Sequence, residues 1–193
     1  MPTRAQVLGS EATVRAHVER ARTMGVLPYF EAAARRHGLP LDVLIGLASH
    51  ESNMGAALDA SGKGDGGNAW GLMQIDQRYH RPFTSTHSPF DHQAVIEYGA
   101  ALLADYRRQL AGNLTHAISA YNAGVGGVRA ALAAGRPADA PTTPYKAYGV
   151  GFAEIVLHRA ALARPLLAVA VATATSGLAV ALLAAGVYYL WKK

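Results

Sequence analysis

Residues 48–76, ASHESNMGAALDASGKGDGGNAWGLMQID, join the end of an apolar helical pattern to a glycine-rich segment with two aspartates. Glu51 stands seven residues after Leu44 and three after Ala48, so it falls on the apolar face of the predicted helix. Burial there, together with the negative end of the helix dipole, favours the protonated form of a carboxyl group. The sequence therefore predicts a raised pKa for Glu51.

Asp65 and Asp76 lie outside this helix, in the segment that holds the glycines. Carboxylates in such a polar loop are expected to stay ionised. Cleavage of a glycosidic bond uses one carboxyl group that holds its proton and a second one that does not. The stretch thus supplies the acidic residues that a glycoside hydrolase needs.

Two other interpretations of these acidic residues remain open. Glu51 could form a structural ion pair with Arg78 or another cation. Asp59, Asp65 and Asn68 could form an ordinary Asx turn or ligate a cation, although their spacing does not match the EF-hand pattern.

Composition narrows the function classes. The chain has 193 residues, 51% of them hydrophobic, which suits one compact domain with an appendage. It has no cysteine, which excludes disulfides and thiolate metal sites and leaves the redox compartment open. The net charge is +5, and its scattered basic residues lack aromatic interleaving, so we expect no nucleic-acid partner.

The apolar spacing is helical nearly throughout and predicts a mainly α fold with at most a small β element, placed within residues 62–75. Helix signals place one helix from about Ser10 and another behind Pro40, after a helix that ends at Gly38. Further helices are predicted from the S-x-x-D motif Ser88–Asp91 to Leu110, from Asn113 to Gly124, from Gly126 to Ala134 and from about Pro144 to Leu162.

The C-terminal stretch from Leu166 to Leu190 contains 25 residues without a charge and ends beside Trp191 and two lysines. Such a length is sufficient for a membrane-spanning helix. We therefore predict two parts, residues 1–164 and residues 165–193, with membrane association through the second and with topology open. A buried alanine-rich helix is the alternative. The N-terminus predicts an amphipathic helix rather than a secretory signal.

Three separated blocks carry a family resemblance: HESNMG at 50–55, GNAWGLMQID at 67–76 and SAYNAGVGGV at 119–128. In order and spacing the chain resembles the goose-type lysozymes and the wider lysozyme-like lytic transglycosylases, over roughly residues 5–163. The resemblance implies a lysozyme-like helical domain that acts on bacterial peptidoglycan and requires no metal or organic cofactor.

The resemblance also implies roles for individual residues. Glu51 corresponds to the catalytic acid, and Asp76 and Asp65 to the aspartates that orient a water. The loop between Glu51 and Asp65 is about one residue longer than in the animal enzymes, so Asp76 is the firmer match. The residues that would support the acid or contact the glycan are Ser52, Met73, Gln74, His80, Tyr121, Asn122 and Tyr148, of which His80 could instead be an ordinary surface residue.

These roles predict a muramidase that cleaves the β-1,4 bond between N-acetylmuramic acid and N-acetylglucosamine. One alternative is a lytic transglycosylase, which needs no second carboxylate and releases 1,6-anhydromuramic acid. Others are a non-catalytic, membrane-anchored, glycan-binding virion protein and a metal-dependent binding module. A murein-cleaving domain with a tail anchor suits a bacteriophage, acting from the virion or at the host inner membrane. Oligomeric state is left open.

Overall fold

The computed structural model describes residues 3–139 and 148–168. The described helices are α1 (Arg4–Leu8), α2 (Glu11–Thr23), α3 (Leu27–His37), α4 (Leu41–Ser52), α5 (Arg81–Thr84), α6 (His92–Gln109), α7 (Leu114–Ala133) and α8 (residues 152–168). Three two-residue strands lie between α4 and α5. The predicted mainly α fold is confirmed.

Helix α4 runs through the centre of the core. Leu44, Ile45 and Leu47 are fully buried and belong to the same cluster as Phe30 of α3. Helix α8 crosses α4 at Gly46, where an added Cβ would lie 2.6 Å from the Val156 carbonyl oxygen. Because α4 is packed on several sides, its C-terminal end is held in a fixed position.

Arginines of α8 add polar ties to α4. Arg159 is buried, and its Nη1 donates to the carbonyl oxygen of Ser49 at 2.6 Å. Nε of Arg164 donates to Oδ2 of the buried Asp42 at 2.7 Å. The Ser49 carbonyl lies two residues before Glu51, so α8 anchors the helix end that carries the predicted acid.

Side-chain caps set the helix starts. Ser10 and Asn113 cap α2 and α7, as predicted, by accepting hydrogen bonds from the backbone of Thr13 and His116. The predicted start of α6 at Ser88 is wrong. Asp91 is the N-cap, because its own carboxylate accepts from the backbone N–H of Ala94.

The small sheet forms where the sequence places it, with strands β1 (Lys63–Gly64), β2 (Ala69–Trp70) and β3 (Ile75–Asp76). The strands are antiparallel in the order β1-β2-β3, and β3 extends one residue past the predicted limit. The sheet brings Asp76 to the end of its last strand.

Helix α7 is interrupted at Gly124, whose φ of 70° and ψ of 155° are not helical. The sequence predicts two helices separated at this point, and the interruption confirms that break. Glycine adopts this positive φ without the steric cost that a side chain would add.

The start of α8 differs from the prediction. Residues 148–151 are not α-helical, and α8 begins at 152 and continues past Leu162 to 168. The cause is Asp139, whose carboxylate accepts hydrogen bonds from the backbone N–H groups of Ala153 and Glu154 at 2.7 and 2.8 Å. These amides are the donors that the first turn of a helix leaves without a partner, so Asp139 fixes the helix start.

No helix in the described ranges has both the length and the apolar character needed to cross a membrane. The predicted span from Leu166 to Leu190 lies outside the described residues except for 166–168. Within that overlap, Leu167 is buried and the carbonyl oxygen of Leu166 accepts a hydrogen bond from Arg22 at 2.7 Å.

Candidate active site

Glu51 is the second-last residue of α4 and is half-buried. Among the residues that the structure describes, none forms an ion pair or hydrogen bond with its carboxyl group, so the alternative of an ion pair with Arg78 is wrong. Burial raises the pKa of Glu51 from its ordinary value of 4.5 to about 8. A carboxyl group in this state keeps its proton at neutral pH and can donate it.

His50 beside it adds no positive charge. Burial, followed by the Arg159 charge, lowers the pKa of His50 to about 3. Its ring meets that of Phe152 edge-on, with 5.0 Å between the ring centres. A neutral His50 does not oppose the raised pKa of Glu51, whereas a protonated imidazole beside it would favour the ionised carboxylate.

Ser52 does not occupy the place expected for a residue that contacts substrate. Its side chain is buried and donates to the carbonyl oxygen of Leu72 at 2.9 Å, while it accepts from the backbone N–H of Gly55 at 2.9 Å. Ser52 therefore ties the end of α4 to the segment between β2 and β3. Its hydroxyl is used inside the protein.

The two predicted aspartates share one arginine. Arg78 Nη2 lies 2.6 Å from Asp76 Oδ2 and 2.9 Å from Asp65 Oδ2, and Arg78 Nε lies 2.9 Å from Asp76 Oδ1. Hydrogen bonds from the Arg78 side chain lower the pKa of Asp76 and keep it ionised. The Asp65 side chain is 61% exposed, whereas that of Asp76 is 25% exposed.

A cleft of about 430 Å³ runs beside these groups. This volume falls in the range of small-molecule sites, about 300–1,000 Å³. Its lining comes from Gln74, from β3 and the turn that follows it, from two side chains of α6 and from α7. The lining residues are Gln74, Ile75, Asp76, Tyr79, His80, Leu102, Tyr106, Ala120, Tyr121, Asn122, Ala123 and Gly124.

Tyr121 links the cleft to Glu51, which is not itself a lining residue. Its phenol donates to the carbonyl oxygen of Met73 at 2.9 Å. Burial, followed by the Glu51 charge, raises the pKa of Tyr121 well above its ordinary value. The Met73 side chain is fully buried, packs against Gly99 of α6 and does not line the cleft, so Met73 contacts Tyr121 through its backbone carbonyl.

The remaining predicted residues divide into two groups. His80 lines the cleft, its Nδ1 lies 3.2 Å from the Tyr98 hydroxyl, and burial lowers its pKa against the opposing effect of Asp76. Asn122 also lines the cleft. Tyr148 is half-buried at the start of the second described range, and the structure does not place it in the cleft.

Comparison with known proteins assigns the family. Residues 28–140 match the family described as Transglycosylase SLT domain, which covers more than half of the chain. The chain belongs to this family. The match contains both acidic regions and the cleft walls, so the SLT domain is the part of the chain that holds the candidate site.

Goose-type lysozymes are also similar to this SLT domain protein. Lysozyme g of Gallus gallus is 35% identical over 121 residues, which are 56% of this chain and 55% of that protein. Lysozyme g of Struthio camelus is 40% identical over 96 residues, 45% of each chain. The chain thus spans about half the length of these relatives. The resemblance predicted from the three sequence blocks is confirmed at the level of the family.

Sequence reasoning missed two residues of the site. The sequence predicts Arg78 only as a partner for Glu51. Its position two residues after Asp76 is a usable signal, since a turn there brings the two side chains together. Tyr79 lines the cleft of the SLT domain and is 79% exposed. A tyrosine between two candidate site residues, Asp76 and His80, was the signal for it.

The glycine-rich segment contains Asp59 and Asp65, two of the candidate cation ligands. Asp59 Oδ1 accepts hydrogen bonds from the backbone N–H and hydroxyl of Ser61 and from the backbone N–H of Lys63, which is a turn of the Asx kind. Asp65 faces Arg78 instead. Within the described part of the chain, no group of three or more His, Asp or Glu side chains is arranged to hold a metal ion.

Proposed function

We propose that this protein cleaves the glycan strands of bacterial peptidoglycan, with Glu51 as the general acid. The observation that carries this proposal is the state of Glu51: half-buried, with no ion pair to any described residue, with a pKa of about 8, and close enough to Tyr121, which lines a cleft of ligand size, for its charge to affect that phenol. Membership of the SLT domain family and similarity to goose-type lysozymes support the same activity.

In the proposed reaction, Glu51 donates its proton to the oxygen of the β-1,4 bond between N-acetylmuramic acid and N-acetylglucosamine. Protonation makes that oxygen a better leaving group as positive charge develops at the anomeric carbon. Gln74, Tyr121 and Asn122 hold the cleaved sugar in this proposal, which is supported by their position in the cleft lining and by the hydrogen bond from Tyr121 to the Met73 carbonyl.

The fate of the anomeric carbon decides between two reactions. For a muramidase, a water attacks, and Asp76 is the group placed to orient it, because it is ionised and lines the cleft. We favour this reaction. The second candidate is a lytic transglycosylase, in which a hydroxyl or acetamido group of the substrate attacks; it is favoured by Arg78, which occupies both carboxylates.

The test uses purified murein and the full chain. Reducing ends indicate hydrolysis, and 1,6-anhydromuramic acid indicates transglycosylation. Glu51→Gln removes the donor proton with little change in shape and should lower either activity by about 100-fold to 10,000-fold. Glu11→Gln, at a surface position of α2 paired with Arg15, is the matched control and should be fully active. Near-normal activity of Glu51→Gln would refute the proposal.

For the biological setting we propose a bacteriophage protein whose C-terminal segment, Leu166 to Leu190, associates with the membrane. The uncharged length of that segment supports this proposal. Two roles follow from it: action from the virion during genome delivery, or action at the host inner membrane during lysis. Fractionation of infected cells and of purified particles separates them, since only the first role requires the protein in mature particles.

A further inference from the structure

Tyr79 is the most exposed large hydrophobic side chain of the described residues, at 79%. It nevertheless lines the cleft, in the turn between Asp76 and His80. An aromatic ring exposed to this extent contributes little to the core, and placing it in water has a hydrophobic cost. Its position therefore indicates a ligand contact rather than a folding role.

The turn that carries Tyr79 is held firmly. The backbone N–H groups of Tyr79 and His80 donate to the Asp76 carbonyl oxygen at 3.2 and 3.0 Å. The backbone N–H of Arg78 donates to Asp76 Oδ1 at 2.8 Å. Because the backbone is fixed on both sides of Tyr79, a ligand would have to immobilise only its two side-chain torsions, so little entropy is lost on binding.

The residues that line the cleft combine polar groups with the aromatic ring of Tyr79. Asp76, His80 and Asn122 offer polar groups, whereas Tyr79 offers a flat apolar face with a hydroxyl at its tip. A β-linked hexopyranose has the matching character, since its ring C–H bonds form an apolar face and its hydroxyl and acetamido groups project at the edges. Packing of such a face on an aromatic ring removes apolar surface from water.

We propose that Tyr79 is a specificity-determining residue that stacks on an N-acetylhexosamine ring of the bound glycan strand. The inference rests on the proposed function and deepens it, because it assigns a saccharide subsite at the Tyr79 end of the cleft. The ring contact is made equally before and during bond cleavage, so it strengthens binding of longer strands without changing the chemical step.

Binding is measured first, by calorimetry with chitohexaose, using the full chain with Glu51→Gln so that turnover is slow compared with the measurement. Tyr79→Ala should weaken binding by about tenfold, which corresponds to about 1.4 kcal/mol. Tyr79→Phe keeps the ring and should bind within twofold of the parent. Tyr29→Ala is the matched control, since Tyr29 is 38% exposed on α3 and lines a separate pocket with Arg36 and Glu97.

Two binding results would overturn the inference. One is a Tyr79→Ala variant that binds like the parent. The other is a Tyr79→Phe variant as weak as Tyr79→Ala, because the contact would then be made by the hydroxyl and not by the ring. Unchanged thermal unfolding of Tyr79→Ala, expected from its exposure, confirms that any loss comes from binding.

Kinetics on murein separate this inference from the proposed function. With Glu51 intact, Tyr79→Ala should raise KM by about tenfold and leave kcat nearly unchanged, the signature of lost uniform binding. Failure of the wild-type chain to cleave murein contradicts the proposed function. Cleavage by the wild type together with an unchanged KM in Tyr79→Ala contradicts the stacking role alone.

Discussion

The Arg78 guanidinium holds the Asp76 carboxylate at two points, with Nε 2.9 Å from Oδ1 and Nη2 2.6 Å from Oδ2. This geometry keeps Asp76 ionised, whereas burial keeps Glu51 protonated. The two carboxyl groups are thus driven to opposite charge states by their surroundings, the arrangement that acid-assisted glycoside cleavage uses.

The contacts of Arg78 predict that substitution of Asp76 lowers activity more than substitution of Asp65. Asp76→Asn leaves Arg78 against a neutral amide in the cleft and should lower the rate of reducing-end formation by about 100-fold, within the range for loss of one acid or base group. Asp65→Asn should lower it by less than about tenfold, because Asp65 is mostly exposed and meets Arg78 through one atom pair. Equal losses in the two variants would show that both aspartates share one role.

The pKa of Glu51 predicts a pH dependence of stability. Between pH 4.5 and about 8 the folded protein keeps a proton on Glu51 that the unfolded chain has released. The stabilising contribution is therefore complete below about pH 4.5 and is lost as pH rises through about 8, at about 1.4 kcal/mol per unit of pKa difference. Urea unfolding of wild type and Glu51→Gln from pH 5 to 9 should show a difference that favours the wild type less as pH rises.

That comparison also removes the contribution of histidines. Burial lowers the pKa values of His17, His50 and His92, so these groups favour the folded state more as pH rises. They are the same in both proteins and cancel in the difference. A difference that does not change with pH would contradict the raised pKa of Glu51.

The pH profile of activity should also reveal Glu51, as a fall in kcat/KM on the alkaline side. The acid must be protonated in the free enzyme, so kcat/KM on murein should fall tenfold per pH unit above about pH 8. The residual activity of Glu51→Gln should lack this limb, because the glutamine has no proton to lose. An alkaline limb that survives in Glu51→Gln would assign it to another residue.

Helical periodicity was enough to place Glu51 and the small sheet. The phase of Leu44, Ala48 and Glu51 requires only that α4 be a helix, and α4 is one, although it is buried on nearly all sides and not on a single face. The strand region followed from glycines between two helical patterns. These features depend on residues close together in the sequence, where local geometry decides the outcome.

The directions of individual side chains could not be predicted in this way. Ser52 stands next to Glu51, but its hydroxyl turns to Leu72, twenty residues away. The start of α8 depends on Asp139, which lies outside that helix and on the other side of the undescribed residues 140–147. Such pairings depend on how separate elements pack, and a single sequence does not contain that information in readable form.

Ser52 provides a test of a positioning role against a substrate-binding role. Ser52→Ala leaves the Leu72 carbonyl and the Gly55 N–H without their partner inside the protein. We expect a loss of about 1–3 kcal/mol in the free energy of unfolding, the cost of unsatisfied buried groups. KM on murein should stay within twofold of wild type, since the side chain is buried. A raised KM with unchanged stability would restore Ser52 as a substrate contact.

Two glycines in helices predict opposite effects of the same substitution. In Gly46→Ala the new Cβ would lie 2.6 Å from the Val156 carbonyl oxygen and 2.8 Å from the Ala160 nitrogen, both backbone atoms of α8 that cannot move aside. We expect a loss of about 1–3 kcal/mol or more. In Gly126→Ala, on α7, the Cβ meets nothing within 4 Å, and the better helix propensity of alanine should stabilise the protein by up to about 1 kcal/mol. Thermal unfolding of both variants measures the difference. Equal stability of the two variants would show that α8 does not pack on α4 as closely as the structure places it.

The Gly46→Ala substitution should also lower murein cleavage, because α8 holds the end of α4 that carries Glu51.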